Sequence, residues 1–517
     1  MRGKLAPRAA IFFYRLGQGL RRPENLAFLP AVTLAAFWLG GEASLILAAL
    51  GLPILYLMSG AFKVDARPPE GAAQDGTTGL ILREGLVGAL DAILAGLGQS
   101  GKSTACLVIH LDDARTLTDR HGHAARGEVL RRTVERMHDV LRGGDIVARL
   151  EGDSFAVVLQ PVARIDLESV LQLATRLQQA LTVPIAIDAL RVHVSASVGF
   201  CLAARAPDKG GRDLLDAAEI AAKQALANGP GAVRAWSDSM QRAHSDRRSL
   251  RDQLETALGN GQVRPYFQPQ ISTETGALSG FEALARWDHP ERGMIPTAEF
   301  LPLVAEAGLS ERLGEVMLFG ALTALSEWDA KGLDVPSVAV NFTQEDLANP
   351  HLPERLQWEL DRFGLGASRL TVEVLETVVA GTENDVVVRN LAAVSKMGCG
   401  IDLDDFGTGH ASLAAVRRFG VRRIKIDRSF VTRLEEEAEQ RKMVAAILSM
   451  AEQLGLETLA EGVESAAEHA LLAQLGCGHV QGFGIGKPMR FEITDTWIAR
   501  HRARQTAAMA RIGKRAG

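Results

Sequence analysis

Cysteine is scarce. There are four in 517 residues, Cys106, Cys201, Cys399 and Cys477, far apart and with no C-x-x-C pair. This excludes a disulfide framework and a cysteine-built zinc centre, and it suits a reducing compartment. An excess of positive charge is also missing, since 57 basic side chains face 62 acidic ones for a net charge of -5. Binding of a nucleic acid polymer through bulk charge is therefore excluded, and any nucleotide ligand must be held locally. One stretch lacks charge almost entirely: from Leu26 to Phe62 the only charged side chain is Glu42. The Gly40-Gly41-Glu42 break divides it into two apolar runs of about 15 to 20 residues, near the length that crosses a bilayer. Two runs are too many for a signal peptide, and no small-x-small cleavage site follows them. Arg2, Lys4, Arg8, Arg15, Arg21 and Arg22 precede the pair and Lys63 and Arg67 follow it, so the positive-inside rule puts both ends in the cytoplasm. The expectation is a membrane hairpin of two transmembrane helices over residues 1–65, then a Pro/Gly-rich linker over 66–77.

The remaining length has room for further domains at about 150 residues each. From 78 to 236 helical and strand patterns alternate: "LREGLVGALDAILAGL" and "RGEVLRRTVERMHDVL" have helical spacing, "ACLVIHL" is a buried strand, and "VARLEGDSFAVVL" is a hairpin with Glu151 and Asp153 at its bend. This is an α/β domain. Within it "GLGQSGKS", Gly96 to Ser103, matches the phosphate-loop pattern G-x-x-x-x-G-K-[ST]. That loop works when it leaves a strand and opens a helix, so that the helix N-terminus faces the phosphate. Here a helical pattern precedes it and a strand follows, and the motif lacks its context.

"TGLILR", "DRHGH", "RGGDIVARLEGDSF" and "SASVGF" occur in the order and spacing of the GGDEF domain, and the segment resembles that nucleotidyl-cyclase-like family of diguanylate cyclases. The departures imply a degenerate member. In the family hairpin the third position holds the metal and the fourth is needed for catalysis; here Asp153 keeps the third, Ser154 replaces the fourth, and Glu151 replaces the first glycine. The metal-binding aspartate of the D-x-D-x-F-K segment is His110 and its phenylalanine is Ala114. The guanine-reading asparagine is Thr118, and the aspartate after G-H-x-x-G falls at Gly127. The resemblance therefore implies a regulatory domain without cyclase activity. Arg142 and Asp145 match the family's R-x-x-D pair, a product-binding inhibitory site, so they are candidates for a regulatory site taking cyclic di-GMP, and GTP sensing is a further reading of the domain.

After a linking helix over 237–250 the rhythm changes. Eight strand-like stretches follow: "PYFQPQIS", "LSGFEALAR", "SVAVNFT", "RLTVEVLE", "GIDLDDFG", "RRIKIDRS", "LETLAEGVE" and "HVQGFGIG". Helical patterns separate most of them from the second onward, which predicts a TIM-type (β/α)8 barrel over 251–492. The strands carry polar residues toward their ends: Glu282, Asn341, Glu373, Asp404 with Asp405, Lys425, Glu461 and Gln481. Carboxylates converging without a cation would repel one another, so a bound hard metal, magnesium or manganese, is the natural resolution. Abundant acid with a single placed lysine fits metal-assisted phosphodiester hydrolysis.

The same segment resembles the EAL phosphodiesterase family, on "EALAR" (Glu282 to Arg286), Asn341, "EVLE" (Glu373 to Glu376), "DDFGTG" (Asp404 to Gly409), "KID" (Lys425 to Asp427), "EGVE" (Glu461 to Glu464) and "QGFGIGKP" (Gln481 to Pro488). The resemblance implies a modified barrel with one antiparallel strand and hydrolysis of cyclic di-GMP to linear pGpG with two ions, Mg2+ or Mn2+. It implies Glu282, Asn341, Glu373, Asp404, Asp405 and Glu461 as metal ligands, and catalytic parts for Lys425, Glu461 and Glu282. Gln268, Arg286, Asp427, Glu464 and Gln481 are implied to bind substrate or its attacking water, and Glu376 to anchor the "DDFGTG" loop. Leu375, His410 and Ala411 depart from the family's usual threonine, tyrosine and serine, beside the expected metal shell rather than in it.

The resulting expectation is a phosphodiesterase anchored in the bacterial inner membrane, multi-pass and with its catalytic domains in the cytoplasm. A homodimer is implied by the resemblance, and no nucleic acid polymer is expected as partner. The alternative is a non-enzymatic cyclic di-GMP receptor acting through partner contacts. A bifunctional cyclase and hydrolase is disfavoured by Ser154 and His110. The tail over 493–517 reads as a basic helix with no assigned function.

Overall fold

A computed structural model describes residues 29–58, 73–112, 114–187, 190–380, 385–407 and 419–513. The chain forms two compact units, Met1–Ser245 and Asp246–Gly517. Among the described residues no helix is long and apolar enough to cross a membrane. The two apolar runs lie on one helix, Leu29–Met58, broken at Gly41 (φ 71°, ψ -163°). The break leaves stretches 29–40 and 42–58, both short of the ~20 residues a spanning helix needs. The expected transmembrane hairpin is thereby corrected, and with it the inner-membrane placement that rested on it. Residues 1–28 and 59–65 of that expectation lie outside the described residues.

In the first unit a six-stranded sheet is built from β1 (Ile81–Leu82), β2 (Ala105–Leu111), β3 (Ile146–Arg149), β4 (Ser154–Val158), β7 (Ala196–Leu202) and β8 (Val233–Ala235). A separate two-stranded ribbon holds β5 (Ile185–Ile187) and β6 (Leu190–Val192). The sheet order is β1-β3-β4-β2-β7-β8. Strands β2 and β7 are apolar on both faces apart from His110 and Ser197, because both faces of the sheet are covered. Leu107, Ile109, Phe155, Val157 and Phe200 point to one core, shared with helix Leu167–Leu181. Cys106, Val108, Ala156, Val158 and Cys201 point to the other, shared with helices Arg83–Ser100 and Gly211–Ala227. "GLGQSGKS" falls on the last turns of Arg83–Ser100 and its left-handed C-cap Gly101 (φ 60°). A helix C-terminus presents carbonyls and the negative end of the dipole, so the segment offers nothing to a phosphate.

The second unit is the barrel. Its strands are β9 (Val263–Ser272), β10 (Leu278–His289), β12 (Val338–Asn341), β13 (Leu370–Leu375), β14 (Gly400–Phe406), β15 (Arg423–Ile426), β16 (Glu457–Ala460) and β17 (His479–Gln481), with β11 (Gly293–Ile295) added outside on β10. Each of the eight strand-like stretches falls on one barrel strand, and β9 and β10 extend beyond theirs. The ring closes through β9, which runs antiparallel to both β10 and β17, while all other neighbours in the ring are parallel. The short Thr273–Ala277 connection is too tight for a helical crossover, so the first two strands must form a hairpin. Helix Ser310–Ala330 packs Leu318, Leu322, Leu325 and Trp328 on the barrel wall with Val338 and Val340, and this apolar jacket holds the strand ends that carry the polar residues.

Candidate active site

Lys425 sits next to last on β15 and is fully buried. Its Nζ lies 2.7 Å from Glu461 Oε1, 2.9 Å from Glu373 Oε1, 3.1 Å from Asp404 Oδ1 and 3.5 Å from Glu282 Oε2. Parallel register puts Glu373 beside Asn341 and Asp402, and Asp404 beside Leu375. Glu461 follows β16, and its N–H donates to Ile426 O at 3.0 Å. Glu282 is not at a strand end, because β10 runs on along β9 as far as Trp287. It still reaches the same level, since β12 pairs Ala339 with Glu282 and Asn341 lies two residues further on. Asn341 Nδ2 donates to both Glu282 Oε1 and Glu373 Oε2 at 3.1 Å, and Gln481 Nε2 donates to Glu282 Oε2 at 2.5 Å and to Gln268 Oε1 at 3.1 Å.

Charge in this cluster is lopsided. Burial lowers the proton affinity of Lys425, but the surrounding carboxylates outweigh it and hold the ammonium well above its ordinary range. Burial and then the charge of Glu282 push Glu373 well above the carboxylate range. Glu282 lies below it, because the Lys425 ammonium and the amide donors overcome its burial. Burial pushes Glu461 up to about 8, although 20 % of its side chain is exposed. Asp405 is raised by burial and by Asp404 and Asp427. Its backbone is left-handed (φ 54°), a costly conformation for a non-glycine residue that turns the end of β14 away from regular strand.

A divalent cation fits this donor set. Asp404, Asp405 and Glu461 each offer a carboxylate oxygen, the three within 4.8 Å of one another. Among the described residues the buried Oε1 of Glu373 accepts no hydrogen bond despite its nearness to the ammonium. Five carboxylates and one lysine leave excess negative charge that a hard cation would neutralise.

The other expected residues are placed less centrally. Half-buried Arg286 donates from Nη1 to Thr297 Oγ1 at 2.9 Å and Ala285 O at 2.7 Å. The Asp427 carboxylate caps helix Arg428–Val431 through Ser429 N. Glu464 is exposed, and its N–H donates to Glu468 Oε2. Glu376 Oε2 accepts from Gly407 N at 2.8 Å, at the start of the "DDFGTG" loop. His410 and Ala411 lie outside the described residues. After Gln481 the chain must pass hard against the preceding loop: a Cβ on Gly482 would fall 2.2 Å from the backbone N and O of Val463. Any side chain there would push the two loops of the rim apart.

Three interior residues were not anticipated. Gln270, Asp402 and Arg423 are buried one pleat below Gln268, Asp404 and Lys425. The signal lay in the period of two: each stands at i±2 from a residue already singled out, so it shares the inward face.

In the first unit, Arg142 and Asp145 border a cavity of about 450 Å3 with Arg164 and Arg176. Asp145 spends its carboxylate on backbone, accepting from Arg142 N and Gln160 N at 2.8 Å. At the hairpin tip Asp153 is clasped by Arg126, whose Nε and Nη2 donate at 2.9 and 2.6 Å. His110 Nδ1 lies 2.8 Å from Ser154 Oγ.

The sequence model of the EAL domain matches residues 251–488, and that of the diguanylate cyclase GGDEF domain matches 72–231. The bifunctional diguanylate cyclase/cyclic di-GMP phosphodiesterase MucR of Pseudomonas aeruginosa is 33% identical over 75% of this chain and 56% of its own length. The solved phosphodiesterase of that protein, in complex with cyclic di-GMP, is 36% identical over 47% of this chain and 98% of its own (TM-score 0.45). The S helix-GGDEF-EAL structure of Vibrio cholerae LapD, bound to cyclic di-GMP, is 18% identical over 79% of this chain and 95% of its own; its TM-score of 0.51 reports shared fold. The chain spans about half the length of the first curated relatives it matches.

Proposed function

Because the chain belongs to the family that carries a GGDEF and an EAL domain in tandem, we propose that its barrel hydrolyses cyclic di-GMP to linear pGpG and that its first unit is regulatory. The observation that carries the reading is the convergence of Glu282, Glu373, Asp404 and Glu461 on Lys425, with Asp405 beside them. Glu282, Asn341, Glu373, Asp404, Asp405 and Glu461 would hold two divalent ions. Bound there, such ions supply the Lewis acidity that makes water a nucleophile at neutral pH and offsets charge on the phosphoryl oxygens.

The chain's own groups do the rest. The Lys425 ammonium fixes the spacing of four carboxylates and meets negative charge that grows near them. Glu461, partly exposed at the rim, takes the proton of the attacking water. Arg286 turns its remaining N–H groups to the substrate phosphate, and Gln268 and Gln481 line the floor beside it. The receptor alternative is less well supported, because receptors of this family typically lack part of the ligand set, whereas every expected ligand is present in this sequence.

For the first unit the support is the hairpin. Arg126 supplies to Asp153 the positive charge that a metal would supply in a cyclase, and the fourth position carries the hydroxyl of Ser154 in place of a carboxylate. The cavity bordered by Arg142, Arg164 and Arg176 would take an anionic regulatory ligand such as cyclic di-GMP.

Incubated with cyclic di-GMP and Mg2+ or Mn2+, the full chain should release pGpG, and with GTP it should form no cyclic di-GMP. Tight binding of cyclic di-GMP without pGpG would sink the hydrolase reading in favour of the receptor.

Metal loading should depend on pH. Below about 8 the metal-free Glu461 carboxyl carries a proton that a cation must displace, so affinity rises as pH climbs through that range. Calorimetry at pH 7 in buffers of different ionisation enthalpy should show proton release on Mg2+ binding. Affinity that is flat from pH 6 to 8.5 would remove Glu461 from the ligand set.

A further inference from the structure

A line of buried polar groups reaches the site from Asp402, Arg423 and Gln270, three residues to which the proposed reaction gives no part. Asp402 and Arg423 are register partners on β14 and β15. Asp402 Oδ2 accepts from Arg423 Nε at 2.8 Å and from its Nη2. The same Nη2 reaches across the barrel to Gln270 Oε1 at 2.9 Å. Gln270 Nε2 donates to Gln481 Oε1 at 2.8 Å, and Gln481 Nε2 donates to Glu282 Oε2 and Gln268 Oε1. Every one of these residues is at most 7 % exposed, so bulk water does not compete for the groups.

The order of donors and acceptors along this line is not arbitrary. A primary amide has nearly the same shape either way round, so its polarity must be set by its neighbours. A guanidinium has donors and no acceptor, so only the oxygen of Gln270 can meet Arg423. That leaves the Gln270 NH2 group for Gln481, which must answer with its oxygen. The NH2 group of Gln481 is then turned on Glu282. Flipped, Gln481 would set its oxygen against the Glu282 carboxylate, leaving two buried acceptors face to face.

We propose that the Asp402–Arg423 pair is a positioning device for the active site: acting through Gln270, it locks Gln481 in one amide orientation and so holds the Glu282 carboxylate in place for a divalent cation. The proposal deepens the hydrolase reading and rests on it. An ion pair at this depth is poor evidence for stability, since a well-packed apolar pair often does as well. What it supplies here is direction, which an apolar pair cannot.

The test compares the full chain with Q270L, with D402L/R423M, which removes both charges together, and with the triple variant. Calorimetric titration with Mg2+ is read beside pGpG formation and unfolding temperature. Q270L should weaken Mg2+ binding about tenfold and lower kcat to a similar degree with KM unchanged, as loss of groups that orient metal ligands does. D402L/R423M should reproduce that loss, and the triple variant should be no worse than Q270L, because all cut the same line. A merely structural role predicts a lowered unfolding temperature with unaltered Mg2+ affinity, or losses that add, and either result overturns the proposal. Q270E serves if the apolar variants do not fold: it still accepts from Arg423 but has no donor for Gln481, so its Mg2+ affinity should fall at least as far, and wild-type affinity there overturns the relay. Mg2+ binding by the wild type without turnover of cyclic di-GMP defeats the hydrolase reading alone, and the calorimetric comparison still decides the relay. A wild type that binds neither Mg2+ nor Mn2+ overturns both.

Discussion

Replacing Glu282 by alanine is expected to lower pGpG formation by about a thousandfold or more, the ~4 kcal/mol of transition-state stabilisation lost with a key electrostatic group. The carboxylate is nearly fully buried, and each oxygen has an assigned amide partner, Asn341 on Oε1 and Gln481 on Oε2. Truncation removes one proposed metal ligand and frees two amide groups that fix the floor of the site. It also takes from Lys425 a counter-charge 3.5 Å away. The orphaned donors cost roughly 1–3 kcal/mol each where they stay buried, so the unfolding temperature should fall too. Circular dichroism at the assay temperature separates the two effects. A folded variant that keeps more than a tenth of wild-type turnover would mean that Glu282 is not a ligand for the reaction.

Lys425→Met is expected to have the largest effect on stability. Four carboxylates lie within 3.5 Å of a side chain that solvent does not reach. Removing one partner of a buried ionic cluster typically costs about 3–5 kcal/mol, because the remaining charges stay buried without compensation. The pH dependence has a definite sign. Without the ammonium the carboxylates titrate higher in the folded chain than in the unfolded one, so the folded chain binds more protons, and stability falls as pH rises from about 5 to 8. Millimolar Mg2+ should recover part of the loss by binding the folded form only. Chemical denaturation at pH 5.5 and 8, with EDTA and with Mg2+, checks all three statements. A loss under 1 kcal/mol in EDTA at pH 8 would mean that the cluster is not held by its lysine.

Much of the barrel is legible in the chain because strand and helix periods differ and alternate. "VAVN" is an apolar run that ends in a group an apolar core rejects, and "IDLDD" and "RIKID" alternate aliphatic with charged residues at the strand period of two. Adjacency of the first two strands, with too few residues between them for a helix, is enough to reverse one of them. The failure of "GLGQSGKS" is legible too, since a helix before the loop and a strand after it place the wrong end of a dipole at any phosphate.

Other features needed the folded chain. That Glu282 acts from mid-strand follows from the length of the β9–β10 pairing, which no local pattern announces. Arg126 meets Asp153 across 27 residues and cancels a charge that sequence reading left exposed at the hairpin. The apolar stretch Leu29–Met58 looks like two spans until the break at Gly41 shortens both pieces.

By itself, then, the order of residues determined which side chains could do chemistry: oxygen ligands, one lysine and two glutamines spread over eight strands, with an α/β fold to carry them. Periodicity and residue chemistry are local properties and can be read along the chain. Only the tertiary structure decided how those groups face one another, with Lys425 among four carboxylates and Gln270 joining Arg423 to Gln481. Those distances arise when β9 closes the ring and brings residues more than 150 positions apart within hydrogen-bond reach.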